Sequence, residues 1–278
     1  MVKMAEITGR TYGVELLFEN DYDVRSPEVL KTLRAMLPNA DVRESGPVTI
    51  FHQDVPIPLK DAGICAQTAI LGTDEPIEPG EFDELLRQTR DWDGAPAAVA
   101  RAKRRLLVTD LMSSSLPAPI RLQTFQRALA AIVTATNPSA IVWTAAYKLV
   151  EPGEFLRAME QPKFADRAFV ALNVRLFNVR DRAGEAVMDT AGLAWLGLPD
   201  LQLHFVGLDP NAVASHLFNS ALYILENGDV IADGNTIDGI PAGSGKKWRC
   251  RHEHALITPP RIVLDIDPGP PHAARHPR

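Results

Sequence analysis

The segment Trp248–His254 carries the side chains best suited to metal chemistry. Side chains alternate between the two faces of a strand, so Cys250, His252 and His254 would share one face. A thiolate and two imidazoles are ligands that zinc accepts, and a fourth could come from His204 or an aspartate. This pattern makes the three residues candidate metal ligands. The same pattern is also typical of a half-exposed strand with polar residues on both faces, and we favour that interpretation, which predicts no metal and no other cofactor.

Other chemical patterns in the chain are incomplete. The glycine-rich segment 239–247 lacks the first glycine and the final hydroxyl of a phosphate-binding loop, where Ile240 and Lys247 stand. Three serines at 113–115 lack the glycines that frame a nucleophile elbow. Acidic pairs such as Glu151 and Glu154 lie at expected helix starts, where carboxylates favour the helix dipole. The sequence therefore predicts no catalytic residues, and an enzyme is the less favoured class.

The elements that must position these residues alternate irregularly between strands and helices. Some strands follow one another directly and others are separated by a helix, which is typical of α+β proteins. We predict a mixed, largely antiparallel sheet with helices packed on it. The main predicted strands cover 14–18, 48–52, 64–71, 105–111, 140–147, 169–179, 201–206, 248–257 and 261–266. The main predicted helices begin at Pro27, Glu81, Ala95, Leu122, Gly153 and Pro210. Ser26 is the expected N-cap of the first helix, and Asn137–Pro138 is expected to end the helix from Leu122.

Composition narrows the class of protein. The 278 residues are 46% hydrophobic, which is ordinary for a globular chain. The formal net charge of −6 argues against nucleic acid as a partner, and no window is apolar enough for a membrane span. Cys65 and Cys250 lie far apart in sequence, and Met1–Glu6 shows no secretory signal, so we expect a cytoplasmic protein. We expect one domain over 1–267, with a subdomain junction near 151–164, and a disordered tail over 268–278.

One stretch of the chain looks like a family signature. The segment Met188–Gln202 resembles the Thr-x-Gly-Leu…Gly-Leu-x-(Asp/Glu)-(Leu/Ile) core of a bacterial domain of unknown function, catalogue number 4261. The later segment Ile231–Ile237 is similar to the Asp-Gly-x-Thr turn that closes that domain, and the resemblance is clearest over 185–240. It implies no established reaction. It does imply a companion of bacterial toxin–immunity or secretion systems, and hence a protein that binds a partner.

These observations lead to two hypotheses on function. The favoured one is a non-enzymatic protein that binds a protein partner, for example as an immunity or accessory factor of a toxin or secretion system. Its partner-binding candidates are Trp195, Leu198 and Asp200, because an aromatic side chain beside aliphatic neighbours is typical of binding hot spots. The alternative is a metal-dependent hydrolase that uses Cys250 and the histidine pair. A partner-binding protein should present an exposed apolar or acidic patch.

Overall fold

A computed structural model describes residues 12–58, 63–73, 75–241 and 243–274. The chain forms two compact units, 9–171 and 172–278, so the division falls downstream of the predicted junction near 151–164. The N-terminal segment used to judge a secretory signal, Met1–Glu6, lies outside the described residues, as do 275–278 of the expected tail. No helix of the described residues is long and apolar enough to cross a membrane.

The N-terminal unit is built around a seven-stranded antiparallel sheet. In chain order its strands are β1 (Gly13–Phe18), β2 (Ala40–Arg43), β3 (Val48–Pro56), β4 (Cys65–Thr73), β5 (Arg104–Leu111), β6 (Ala140–Trp143) and β7 (Lys148–Val150). Across the sheet their order is β2-β3-β4-β5-β1-β6-β7. The helices are α1 (Pro27–Met36), α2 (Asp83–Gln88), α3 (Ala95–Arg101), α4 (Ala118–Thr136), α5 (Pro152–Met159) and α6 (Phe164–Ala168).

Helices cover the two faces of this sheet unequally. On one face α1 and α4 pack together, and α4 contacts β3, β4 and β5. On the other face α2 and α3 close a small apolar cluster over the end of the sheet formed by β1, β6 and β7. Ser26 caps α1 as the sequence predicts: its hydroxyl accepts a hydrogen bond from the amide of Val29, and Pro27 is the first helical residue.

The C-terminal unit has a second sheet and one long helix. Its strands are β8 (Asn173–Asn178), β9 (Glu185–Ala191), β10 (Asp200–Val206), β11 (Thr236–Asp238), β12 (Lys247–His254) and β13 (Ile262–Asp267). They lie in the order β11-β12-β13-β10-β9-β8, and β10 runs parallel to β13. Helix α7 (Pro210–Asn227) packs on β8, β9 and β10. The expected disordered tail begins at 268, but Ala273 forms an isolated bridge with Phe205 of β10.

The prediction of an α+β fold with largely antiparallel strands is confirmed, although the strands form two sheets. Several predicted strands are wrong in extent, and in two of them the predicted range includes a turn. The strand predicted over 140–147 ends at Trp143, because Thr144–Ala146 form a 3-10 turn that reverses the chain into β7. The strand predicted over 169–179 begins only at Asn173, because Phe169–Ala171 form another such turn.

Candidate functional site

The signature loop of the C-terminal unit is organised around a buried carboxylate. Asp200 is 1% exposed at the start of β10, and its carboxylate accepts hydrogen bonds from the amide of Leu193 and the hydroxyl of Thr190. That hydroxyl also accepts a hydrogen bond from the amide of Leu201. Between Thr190 and Asp200 the chain passes through Gly197 at φ +84°, a backbone conformation that favours glycine. The spacing from Thr190 to Asp200 therefore serves to close this loop.

Two arginines complete an ionic network beneath the loop. Arg175 makes a two-pronged contact with the Asp189 carboxylate, with N···O distances of 2.9 and 2.5 Å, and both side chains are fully buried. Arg261 bridges the two carboxylates, at 2.6 Å from Asp189 and 3.0 Å from Asp200. Burial raises the pKa of the Asp200 carboxyl, and Arg261 counteracts that rise. The two positive and two negative side chains balance, which is what allows them to remain buried.

The arginines of this network also fasten a loop to the sheet. Arg261 donates to the carbonyl oxygens of Ile257 and Pro259, and Arg175 donates to that of Thr258. This arrangement positions main chain and leaves no nucleophile poised for reaction. The sequence interpretation missed both arginines. Arg175 could have been noticed, because it is the only charged residue between Phe169 and Asn178 in a segment predicted as a strand.

The predicted partner-binding residues lie in different environments. Trp195 and Leu198 are both half-buried in the signature loop. Asp200 lies in the interior with its carboxylate engaged by Arg261, so a partner could contact it directly only after this loop opened. The structure therefore places two of the three predicted residues near the surface and the third in the buried ionic network.

The candidate metal ligands share a face of β12 but differ in exposure. Cys250 is fully buried, and burial raises the pKa of its thiol to about 11, so it is protonated at neutral pH. His254 is exposed at the end of the strand. No group of three or more histidine, cysteine, aspartate or glutamate residues in the described parts of the chain is arranged to hold a metal ion.

His252 is hydrogen-bonded to two carboxylates and is not arranged as a metal ligand. Its Nδ1 lies 2.8 Å from the Asp233 carboxylate and its Nε2 lies 3.0 Å from that of Asp229. Burial lowers the pKa of His252, but these two hydrogen bonds outweigh that effect and leave the pKa above its usual 6.5. The geometry suits an imidazolium that donates to two carboxylates, and ligation of a metal would require one of these bonds to break.

A third candidate lies in the N-terminal unit, on the sheet face opposite α4. Six exposed or half-buried side chains of β3, β4 and β5 on this side form what we call the open face, and the buried Ala69 and Thr109 lie between them. The six are Thr49, Phe51, Gln67, Leu71, Leu107 and Leu111. Leu107 and Leu111 are each 37% exposed. In the strand register Leu107 is paired with Leu71, and Leu111 is paired with Gln67 beside Phe51.

The open face departs from the pattern of a sheet that simply faces water. The solvated face of an antiparallel sheet is usually polar. Here an aromatic and three leucines share the surface with a glutamine and a threonine, and the Arg43 guanidinium lies 4.4 Å from the centre of the Phe51 ring. The sequence interpretation missed this surface, because the strand predicted over 105–111 was not divided into its two faces, one with Leu107 and Leu111 and the other with core residues such as Leu106 and Val108.

Comparison with known proteins adds one finding. Residues 189–267 match the model of a domain of unknown function (DUF4261), a span that starts at Asp189 of the ionic network and ends with β13. The chain has no significant match among curated proteins or among solved structures. The match contains most of the signature from which the resemblance was inferred, so the predicted resemblance to the DUF4261 family is confirmed over residues 189–267.

Proposed function

We propose that this protein is a non-enzymatic, cytoplasmic binding protein whose open face docks a basic protein partner. The observation that carries the proposal is the exposure of Leu107 and Leu111, at 37% each, on a sheet face that also presents Phe51 and Leu71. Exposed apolar side chains grouped on one sheet face are a common mark of protein–protein contact sites. Six side chains would form the core of an interface, and a stable complex would extend beyond them to about 800 Å² on each partner.

The charge of the chain supports the choice of partner. With a formal net charge of −6, the protein attracts positively charged proteins and repels acidic ones during diffusional encounter. An apolar docking surface on an acidic protein thus fits a basic partner that presents its own apolar patch. The resemblance to companions of toxin and secretion systems indicates which partners to examine first, namely basic components of such systems.

The proposal is tested by affinity capture with purified variants. The double variant Leu107→Ser, Leu111→Ser removes the apolar core of the open face without opening the interior. Hot-spot residues at the centre of an interface cost more than about 1 kcal/mol each when truncated, so we expect at least about a tenfold loss of affinity if these leucines are the core of the interface. Tyr223→Ser is a matched control, because Tyr223 is 50% exposed on α7 in the other unit. Binding that survives in the double variant would refute the proposal.

Two further outcomes would redirect it. Loss of capture in Trp195→Ala, with the open-face variant still active, would assign the partner to the signature loop instead. Size-exclusion chromatography with light scattering then distinguishes a foreign partner from a second copy of this chain. A dimer that dissociates in the double variant would show that the open face is a self-association surface and that the basic partner is wrong.

A further inference from the structure

The N-terminal unit contains a pocket of about 450 Å³ at the edge of its sheet, formed by β7, α5, α6 and the segment before α3. This volume lies within the range of small-molecule sites. Aromatic side chains from two parts of the chain, Trp92 and Phe169, contribute to its wall, together with the aliphatic side chains of Val150 and Val170. Lys148 of β7 is the lysine that lines it.

The amine of Lys148 is unusual for a lysine. Its side chain is only 4% exposed, and the nitrogen donates to the main-chain oxygen of Phe169 at 3.2 Å. The nitrogen also lies 4.8 Å from the centre of the Phe169 ring. The nearest carboxylate is that of Asp91, and the separation of 3.8 Å is too long for a hydrogen bond. The lysine is thus held by a main-chain carbonyl and an aromatic ring, and its ion pair with Asp91 is a long one.

Burial has a direct consequence for this amine. It lowers the pKa of Lys148 from 10.5 to about 8, and Asp91 opposes the effect. At pH 7 a pKa of about 8 gives roughly 300 times more neutral amine than a pKa of 10.5. A neutral amine has a free lone pair that can attack a carbonyl carbon. Desolvation in an apolar pocket is one way in which proteins activate a lysine as a nucleophile.

The charged side chains around the pocket limit what can enter. Its lining carries the carboxylates of Asp91, Glu151, Glu154 and Asp166, against the positive side chains of Lys148 and Arg157. The Arg157 guanidinium is engaged by two of these carboxylates, at 2.5 Å from Glu154 and 3.6 Å from Glu151. An acidic lining of this kind disfavours anionic ligands. The aromatic and aliphatic walls favour a small uncharged molecule with an apolar body.

We propose that Lys148 is a nucleophilic amine that condenses reversibly with a small uncharged aldehyde or ketone in this pocket. The nitrogen lone pair attacks the carbonyl carbon, and the carbonyl π pair moves to oxygen. One proton moves from the nitrogen to that oxygen and gives a hydroxyl group, and the second nitrogen proton follows through solvent as the hydroxyl group leaves as water. The Asp91 carboxylate, 3.8 Å from the nitrogen, stabilises the positive charge that the nitrogen carries before it loses these protons. A C=N bond remains, so one carbonyl compound and one amine give one imine and one water. This reversible covalent site is independent of the open face.

The test uses benzaldehyde as the probe and sodium cyanoborohydride to convert the imine into a stable secondary amine. Peptide mass spectrometry of the full-length protein then gives the extent of labelling at each of its eight lysines. The exposed Lys31, Lys103 and Lys163 serve as internal references. We expect the initial labelling rate at Lys148 at pH 7 to exceed that of each reference lysine by at least tenfold.

Two variants separate reactivity from folding. Lys148→Arg keeps a positive side chain that can donate to the Phe169 carbonyl oxygen but cannot form an imine, so labelling in this pocket should disappear. Lys163→Arg removes an exposed lysine and should leave labelling of Lys148 unchanged. Circular dichroism establishes that each variant is folded. If Lys148 in the folded wild-type protein is labelled no faster than the exposed lysines, the proposal is wrong.

Discussion

Replacing Asp189 by asparagine should destabilise the C-terminal unit strongly. The carboxylate accepts three charged hydrogen bonds, two from Arg175 at 2.9 and 2.5 Å and one from Arg261 at 2.6 Å. The asparagine side chain keeps one acceptor oxygen and replaces the other with a donor that faces a guanidinium. The buried network then holds two positive side chains and only Asp200 as a negative one. Breaking a buried pair in this way costs about 3–5 kcal/mol.

Urea denaturation measures the loss, and hydrogen exchange locates it. Because the chain has two units, unfolding need not be two-state, so the variant is judged by exchange of peptides in 172–274. Exchange should accelerate there, above all in β9 and in the loop that Arg261 fastens. Asp238→Asn is the matched control, because Asp238 pairs with Lys247 at the surface, and it should leave exchange unchanged. A loss below about 1 kcal/mol for Asp189→Asn would refute the view that this network stabilises the unit.

Three further predictions concern other residues. Burial lowers the pKa of His52 to about 4, so the unfolded chain binds more protons between pH 6.5 and 4 and stability falls as the pH drops through that window. His52→Gln, which does not titrate and can still bond to Thr68, should lose about 2 kcal/mol less than wild type between pH 6.5 and 4.5 in urea denaturation. Tyr12→Phe should cost about 1–3 kcal/mol in the same assay, because the buried indole N–H of Trp143 would lose its acceptor at 2.8 Å; no change in stability would contradict this. Elemental analysis of untagged protein purified without chelator checks the hydrolase alternative: we expect no stoichiometric metal, and a bound metal that His252→Asn removes would revive that hypothesis.

The parts of the fold that could be predicted from sequence are those marked by residues close together along the chain, such as the residues that begin and end helices. Ser26 before Pro27 marks the start of α1, and Asn137, which has a left-handed conformation, ends α4 where the sequence predicts. The chain reversal at Thr144–Ala146, between β6 and β7, has no glycine, proline or asparagine to indicate a turn. It passes through Tyr147 at φ +53°, a conformation in which sequence rules expect glycine or asparagine, so an apolar run from Ala140 looked like one strand. That hidden reversal is what places Lys148 on an edge strand beside the pocket.

The residues that form the clearest sequence signature are not the residues that we propose for chemistry, because the two sets meet different physical requirements. A buried ion pair and a turn glycine tolerate few alternatives, so Thr190, Gly197 and Asp200 stand out at fixed spacing even though they stabilise a loop. A pocket assembled from several elements imposes no spacing along the chain, and its lysine stands out only as a single charge in an apolar segment. The residues that match the family, 189–267, contain this signature and lie within the C-terminal unit. The surface and the amine that we propose for binding both lie outside it, in the N-terminal unit, where experiments on function should begin.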